Sequence, residues 1–291
     1  MSEENVAHEI SLDRLPEGFA RRLEGREGPP PRPRPAATVV LLRRPPGEGA
    51  HRGLELLLLQ RSRSAGFVPG AWVFPGGRVD DADGGPGIQR FLEGPQWGAL
   101  STQMEGPQGR EATAYLIAAF RETFEETGLL PGLPRERWGD PGLKGLQADL
   151  VRGERSFAQV LTQLKLKLDA ARAAYIAHWV TPEAEPRRYD TRFFALEVEA
   201  GAPLELQESE VTRSLWISPE RALDLHRAGD LPMVFPTIRT LEALRPFDTP
   251  GQLLDHFRSR SIPRLLPRLV RTPSGVGIVM PDSSLHSTET P

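Results

Sequence analysis

The sequence contains no cysteine among its 291 residues. This absence excludes disulfide bonds, thiolate metal sites and cysteine nucleophiles, and it fits a reducing compartment. No apolar run approaches the roughly 20 residues that a membrane-spanning helix requires. The first ten residues, MSEENVAHEI, are acidic and polar and therefore do not resemble a secretory signal. We therefore expect a cytoplasmic protein that does not interact with a membrane.

Lysine is also scarce. Only three of the 36 basic residues are lysines, at positions 144, 165 and 167, and the others are arginines. Arginine binds phosphate through parallel N–H donors, so this bias suits a ligand that carries phosphate. The formal net charge of −3 and the pI near 6.1 show no basic excess. This balance does not indicate a nucleic-acid partner.

Segments with strand character alternate with longer segments of helical character, which predicts an α/β or α+β sandwich. The apolar runs ATVVLL and LELLLLQR are typical of strands. Strands are predicted at residues 37–42, 54–61, 71–74, 174–180, 191–198 and 211–217. Helices are predicted at 111–127, over much of 134–170, and after the N-cap residues Ser218 and Thr249.

The chain divides into three predicted regions. Residues 1–35 form an N-terminal extension, with an amphipathic helix around Leu15–Leu23 and a stiff Pro/Arg-rich linker. Residues 36–245 form the main domain, with insertions at about 84–110 and 130–173. The glycines and prolines of residues 80–110 predict irregular structure there. Residues 246–291 form a C-terminal helix and tail.

One short stretch, FRETFEETGLL at residues 120–130, concentrates three glutamates on about one turn of the predicted helix. On a helical wheel, an apolar stripe that includes Phe120 lies roughly opposite the arc that holds Glu122, Glu125 and Glu126. We expect this arc to be an exposed face. Taken alone, it is also typical of an ordinary solvated helix with an Arg121–Glu125 ion pair.

The segment WVFPGGRVDDAD at residues 72–83 ends a predicted strand in Pro-Gly-Gly. Glycine lets a backbone approach a ligand closely, although turns also use it often.

Together the two segments resemble the signature of the Nudix hydrolases, G-x5-E-x7-R-E-U-x-E-E-x-G-U, where U is apolar. The second half matches Arg121 to Leu129 position by position, except that Thr123 replaces an aliphatic residue. The first half matches Gly77, with Asp83 at the glutamate position. Between Asp83 and Arg121 lie 37 residues where the pattern has seven. The resemblance implies a Nudix α/β/α sandwich with a mixed central sheet, extended by helical and loop insertions.

An interrupted signature of this kind resembles the larger peroxisomal-type coenzyme A diphosphatases and their bacterial relatives. Arg61 and Ser62 precede the glycines with a spacing similar to the coenzyme A motif of these enzymes, although Gly66 stands where that motif often has arginine. The segment PRRYDTRFFAL at residues 186–196 also resembles this branch. The implied substrate is coenzyme A or acyl-coenzyme A.

The resemblance implies Glu122, Glu125, Glu126 and the carbonyl of Gly76 as ligands of Mg²⁺ or Mn²⁺. Hard oxygen donors suit these cations, which offset the repulsion between the carboxylates and activate a water.

The predicted catalytic residues are Glu125, Arg121, which orients an acid, and Glu210 as a candidate general base beside Glu208. Predicted substrate contacts come from Gly77 and from four arginines: Arg61, Arg187, Arg188 and Arg192.

Two alternatives stay open at this level. The diphosphate substrate could instead be ADP-ribose, NADH or another nucleoside diphosphate derivative. The fold could also serve a non-catalytic binding or regulatory protein, because fold alone does not fix function. The family resemblance adds a homodimer as a candidate assembly.

Overall fold

The computed structural model describes residues 6–11, 23, 29–47, 53–63, 68–94, 96–207 and 209–281. Several predictions fall outside these residues: most of the N-terminal helix around Leu15–Leu23, Gly66 and Glu208.

The core of the molecule is a mixed eight-stranded sheet in which the two apolar runs lie side by side. Both runs are apolar at consecutive positions because both faces of the sheet are covered, so that neither set of side chains faces water. Leu41, Leu42 and Leu56 are fully buried. The strands of this sheet are β2 (Arg34–Arg43), β3 (Glu55–Arg61), β4 (Trp72–Val73), β5 (Gly76–Arg78), β8 (Ala173–Val180), β9 (Tyr189–Glu197), β10 (Val211–Ile217) and β11 (Arg264–Leu265).

Six of these strands lie in the order β10-β3-β2-β9-β8-β11, and the short strands β4 and β5 pair with β3 and β2. Strand β2 runs parallel to β9, β11 runs parallel to β8, and the other neighbouring pairs are antiparallel.

Two helices begin at the capping residues that the sequence predicts. Ser218 and Thr249 cap their helices by accepting N–H bonds from Arg221 and Gln252, and Gly229 ends the first of these helices in the left-handed region. The helices are α1 (Pro86–Gln89), α2 (Gln96–Gln103), α3 (Arg110–Thr127), α4 (Pro141–Val151), α5 (Phe157–Leu164), α6 (Pro219–Ala228), α7 (Phe235–Leu244) and α8 (Pro250–Arg258). Short 3₁₀ helices cover Asp81–Gly84, Arg135–Arg137 and Ala170–Arg172. No helix among the described residues combines the length and apolar character needed to cross a bilayer.

Helices cover both faces of the sheet. Thr191 and Arg192 are consecutive in β9, so their side chains point to opposite faces. Arg192 lies against Tyr115 of α3. Trp179, the cross-strand partner of Thr191, packs edge-on against Phe235 of α7, with ring centroids 5.9 Å apart. The predicted α/β/α sandwich with a mixed sheet is therefore confirmed.

The prediction of irregular structure over residues 80–110 is wrong in large part. This insertion contains α1, the short strand β6 (Leu92–Glu93) and α2, and β6 pairs with β7 (Leu168–Asp169). Trp97, Leu100 and Met104 are buried in the core. Their spacing of three and four residues is a helical signal that the surrounding glycines and prolines obscured.

The two terminal regions are joined in a second sheet. Strand β1 (Val6–Ser11) pairs antiparallel with β13 (Gly275–Val279), which also pairs with β12 (Arg268–Arg271). Sequence analysis predicted a helix and a tail for this end of the chain, but not these strands. Pairing between residues so distant in sequence leaves no local signal beyond a short apolar run.

Replacing Phe120 by alanine should lower the free energy of unfolding by about 3–5 kcal/mol, because the ring is fully buried beneath α3 and its removal leaves a cavity. Chemical denaturation would measure the loss. Val151→Ala is the control, since Val151 is 38% exposed. Equal midpoints for the two variants would contradict the packing of this face.

Candidate active site

Helix α3 carries the acidic residues near its C-terminal end. The helix covers Arg110–Thr127, and Gly128 follows it with φ of 70°, in the left-handed conformation that glycine adopts without strain. Thr123, the departure from the apolar pattern, is fully buried, and its hydroxyl donates to the Ala119 carbonyl oxygen at 2.7 Å. The buried Thr123 hydroxyl therefore has a hydrogen-bond acceptor within the helix.

Two glycines on β5 allow the acids to approach the sheet. A Cβ on Gly76, whose φ is 148°, would overlap the Ala37 carbonyl oxygen. A Cβ on Gly77 would lie 2.5 Å from the carboxyl carbon of Glu122. The Gly76 N–H donates to Glu126 Oε2 at 3.1 Å. The glycine pair and the acidic turn of α3 thus form one site.

Gly77→Ala should reduce turnover about 10²-fold, because the new methyl group displaces the Glu122 carboxylate and small misplacements at a reacting centre are costly. Stability should change little, since the displaced atoms are the end of a flexible side chain. Gly98→Ala is the matched control, because nothing lies within 4 Å of its new methyl group. Equal turnover in both variants would disprove the close approach. Steady-state kinetics and thermal melts decide the outcome.

Arg121 is the hub of the ion pairs in this site. Its Nε and Nη2 donate to the two carboxylate oxygens of Asp83, each at 3.0 Å. Its Nη1 donates to Glu122 at 2.9 Å and to Glu125 at 3.2 Å, and Nη2 also donates to the Arg78 carbonyl oxygen. Burial opposes the charge of the guanidinium, but the hydrogen bond to Asp83 and the nearby acids outweigh it and raise the pKa of Arg121. Arg121 therefore fixes the direction of three carboxylates.

Asp83 connects the two halves of the signature that the insertion separates in the sequence. The side chain is 2% exposed and contacts Arg121 directly, although 37 residues separate the two. Burial raises the pKa of the Asp83 carboxyl group. The hydrogen bonds and the positive charge of Arg121 oppose part of this increase. The insertion therefore leaves the two halves of the signature in contact.

The acids are crowded and poorly solvated. Burial raises the pKa of Glu122 to about 7, with a further contribution from the charge of Glu125. Burial also raises the pKa of Glu126 well above its ordinary value, and the charge of Glu122 adds to this effect. Glu126 is only 6% exposed. The Glu122 and Glu125 side chains are 13% and 17% exposed. The expectation that the three acids lie on an exposed face is therefore wrong, most clearly for Glu126, which is covered where α3 meets β5.

The chemistry of these donors fits a hard divalent cation. All donors are oxygens, and burial, together with the charges of neighbouring acids, raises the pKa values of Glu122 and Glu126, so a cation would favour their charged forms. In the described part of the chain, no group of three acidic or imidazole side chains is arranged so that it could hold a metal ion. Glu122 and Glu125 are instead bonded to Arg121. A cation would therefore compete with Arg121 for these two carboxylates.

Arg61 ends β3, and Glu210 immediately precedes β10, the strand that pairs with it. Strands β3 and β10 pair at their ends, and the Ser62 N–H donates to the Glu210 carbonyl oxygen at 2.8 Å. The charges of Glu210 and Arg61 both act on the pKa of Glu126. The structure thus brings these two predicted residues to the acidic cluster.

The arginines at 187–192 are placed differently from the prediction. Arg188 and Arg192 are 6% and 2% exposed. Arg188 donates to the Thr181 and Pro31 carbonyl oxygens. Arg192 contacts Asp190 and the insertion. The predicted phosphate contacts of Arg188 and Arg192 do not fit these positions, because both guanidinium groups are buried against protein acceptors. Arg187 is exposed.

Asp80 and Gln147 also contact residues of the site, although neither was predicted from the sequence. Asp80 lies 3.7 Å from Arg121 and its charge helps raise the pKa of Glu125, after burial. The run of acids after the glycines was the available signal. Gln147 of α4 donates to the Glu125 and Glu205 backbone oxygens and so joins the end of α3 to the loop after β9. A lone glutamine on a helix gave no such signal.

A cleft opens beyond the C-terminal end of α3. The loop after β9 runs from this cleft to the acids, since the N–H groups of Glu205 and Gln207 donate to the Thr127 and Glu126 carbonyl oxygens. The cleft is lined mainly by apolar residues and glycines: Gly128, Leu129, Leu130, Pro131, Gly132, Leu133, Trp138, Gly139, Leu143, Arg172, Val198, Glu199, Ala202 and Pro203.

Comparison with known proteins places this site in a family. The family model described as the NUDT19 Nudix domain matches residues 33–244. The acyl-coenzyme A diphosphatase NUDT19 of Gallus gallus is 30% identical over 300 residues, which cover 87% of this chain and 79% of that protein. The Homo sapiens protein of the same name is 28% identical, with 87% and 76% covered.

A solved structure agrees with the sequence comparisons. The NUDIX hydrolase from Alicyclobacillus acidocaldarius superimposes with a TM-score of 0.61 at 28% identity, covering 77% of this chain and 96% of that one. Nudix hydrolases act on diphosphate linkages and generally need divalent metal ions. The interrupted signature, its reassembly through Asp83 and Arg121, and a family match over most of the chain show that this protein is an enzyme of the Nudix hydrolase family, in the group of the NUDT19 Nudix domain.

Proposed function

We propose that the enzyme hydrolyses the diphosphate of coenzyme A or acyl-coenzyme A, giving 3′,5′-ADP and (acyl-)4′-phosphopantetheine. The observation that carries this proposal is the assembled acidic site in a chain 30% identical to an acyl-coenzyme A diphosphatase. The departure at Gly66 from the coenzyme A motif makes ADP-ribose or NADH the competing substrates, and the experiment below separates them.

Mg²⁺ or Mn²⁺ is the proposed cofactor. Glu122, Glu125, Glu126 and the Gly76 carbonyl are the proposed ligands. A bound cation of this kind supplies a Lewis acid and lowers the pKa of a coordinated water. The Gly76 N–H holds Glu126 by one carboxylate oxygen, which leaves its other oxygen available.

Protein side chains supply the general base and orient it. Water attacks one phosphorus while the bridging P–O bond breaks, and the leaving phosphate carries away the bond electrons. The water proton passes to a general base, for which Glu125 and Glu210 are the proposed candidates. Arg121 orients Glu125 from 3.2 Å.

Substrate contacts are proposed for Arg61, Gly77 and Arg187. Arg61 lies near Glu126, where a positive charge would neutralise substrate phosphate. Gly77 gives the phosphates access to the backbone of β5. Arg187 is exposed and could reach the 3′-phosphate.

A substrate panel with products identified by mass tests the proposal. The panel contains coenzyme A, acetyl-coenzyme A, ADP-ribose, NADH, a dinucleoside polyphosphate and nucleoside triphosphates, each with Mg²⁺ and with Mn²⁺. We expect 3′,5′-ADP from the coenzyme A substrates and none when Glu126→Gln replaces the enzyme. Preferential cleavage of ADP-ribose or NADH would reject the coenzyme A substrate and keep the family chemistry.

The homodimer and the cytoplasmic location stay predictions. Light scattering of the purified protein and fractionation of the source cells are the measurements that test them.

A further inference from the structure

A buried polar cluster surrounds Arg192, on the same face of the sheet as the acids. The Nη1 of Arg192 donates to Asp190 Oδ1 at 2.7 Å, and its Nη2 donates to the Glu105 backbone oxygen at 2.9 Å. Its guanidinium carbon lies 5.2 Å from the centre of the Tyr115 ring. These contacts connect strand β9 to the end of the insertion and to helix α3.

The insertion is therefore held by a buried arginine at each end. At its start, Arg121 binds Asp83. At its end, Arg192 binds the Glu105 carbonyl oxygen, just before α3 begins at Arg110. The acids lie on the same continuous helix as Tyr115. A shift of the helix start would consequently move the acids relative to the glycine pair.

Asp190 holds the charge of Arg192 in place within the cluster. Asp190 also accepts a hydrogen bond from His178 Nε2 at 2.7 Å. Burial lowers the pKa of His178, and the charge of Arg192 lowers it further, against the opposing effect of the hydrogen bond to Asp190. Arg192 and Asp190 are therefore the charged pair. Such a buried pair contributes geometric specificity more readily than stability.

We infer that Arg192 is a positioning residue for hydrolysis. It fixes the end of the insertion and the N-terminal half of α3 to strand β9, and through the helix it sets the position of the acids over β5. Lysine cannot replace it fully, because one ammonium group does not reproduce a planar fork that bonds two acceptors and stacks on a ring.

The test compares Arg192→Met with Arg43→Met. Arg43 makes the same two kinds of contact elsewhere in the sheet: a 2.8 Å ion pair with Glu55 and a stack 4.2 Å from the centre of the Trp216 ring. Turnover of coenzyme A with Mg²⁺ is measured well below both melting temperatures. Hydrogen exchange of residues 84–120 is measured on the same samples without substrate.

Arg192→Met should lower kcat about 10- to 100-fold with KM changed by less than about threefold, because misplaced acids slow the chemical step more than binding. Exchange should accelerate in the insertion and in the first half of α3. Arg192→Lys should lie between the wild type and Arg192→Met. Arg43→Met should keep the wild-type kcat within about twofold. Should Arg192→Met fail to fold, Tyr115→Leu removes the ring contact alone and should lower kcat in the same direction.

A kcat for Arg192→Met equal to that of Arg43→Met, or unchanged exchange over residues 84–120, would overturn the inference. The kinetic arm depends on the proposed function, whereas the exchange arm does not. If the wild type fails to cleave coenzyme A, the proposed substrate is wrong, and the exchange rates alone then support or reject the role of Arg192.

Discussion

Glu126→Gln should lower kcat on the order of 10²–10³-fold, while raising the melting temperature of the metal-free protein. The carboxylate is buried beside Glu122, so its charge is costly without a cation. The amide keeps an oxygen for the Gly76 N–H and removes that charge. Activity and stability should therefore change in opposite directions.

The pH dependence follows from the raised pKa of Glu126. The folded protein retains a proton that the unfolded chain releases as pH rises above the ordinary value of 4.5. The stability of the metal-free wild type should consequently fall as pH rises from about 5 towards neutral, and this fall should be smaller in Glu126→Gln.

Thermal melts across this pH range, with and without Mg²⁺, measure the effect. Glu136→Gln is the control, because Glu136 is exposed. A Glu126→Gln variant that melts lower than the wild type without metal, or that retains normal turnover, would show that the buried carboxylate has a different role.

Arg121→Met should destabilise the protein by about 3–5 kcal/mol and also eliminate activity. The substitution leaves Asp83, which is 2% exposed, without its bidentate partner, and an unpaired buried charge is strongly unfavourable. Glu122 and Glu125 lose the group that orients them. Both the scaffold and the chemistry depend on this one side chain.

Denaturant titration and steady-state kinetics test this prediction in a double-mutant cycle with Asp83→Asn. The double variant should recover part of the stability, because position 83 no longer carries an unpaired buried charge, but none of the activity. Arg152→Met is the control, since its ion pairs are exposed and contribute about 0–1 kcal/mol. Additive losses in the cycle would show that Arg121 and Asp83 do not act as a pair.

Sequence by itself determined the local parts of this enzyme. The periodicity of α3 placed its apolar stripe in the core, and the apolar runs of β2 and β3 gave the central strands. The sequence predicted that Gly76 and Gly77 follow the end of a strand, whereas in the structure both lie within the short strand β5. Each of these features depends on neighbouring residues, so a spacing of two, three or four positions is enough to reveal it.

Tertiary structure alone decided how these parts meet. It brought Asp83 to Arg121 across the insertion and buried Glu126 where α3 meets β5. It also placed Arg192 inside the core rather than at the phosphate site. The burial and partners of a charged side chain depend on residues far away in the sequence. A local sequence pattern therefore does not distinguish a glutamate or arginine on a solvated helix from one in an active site.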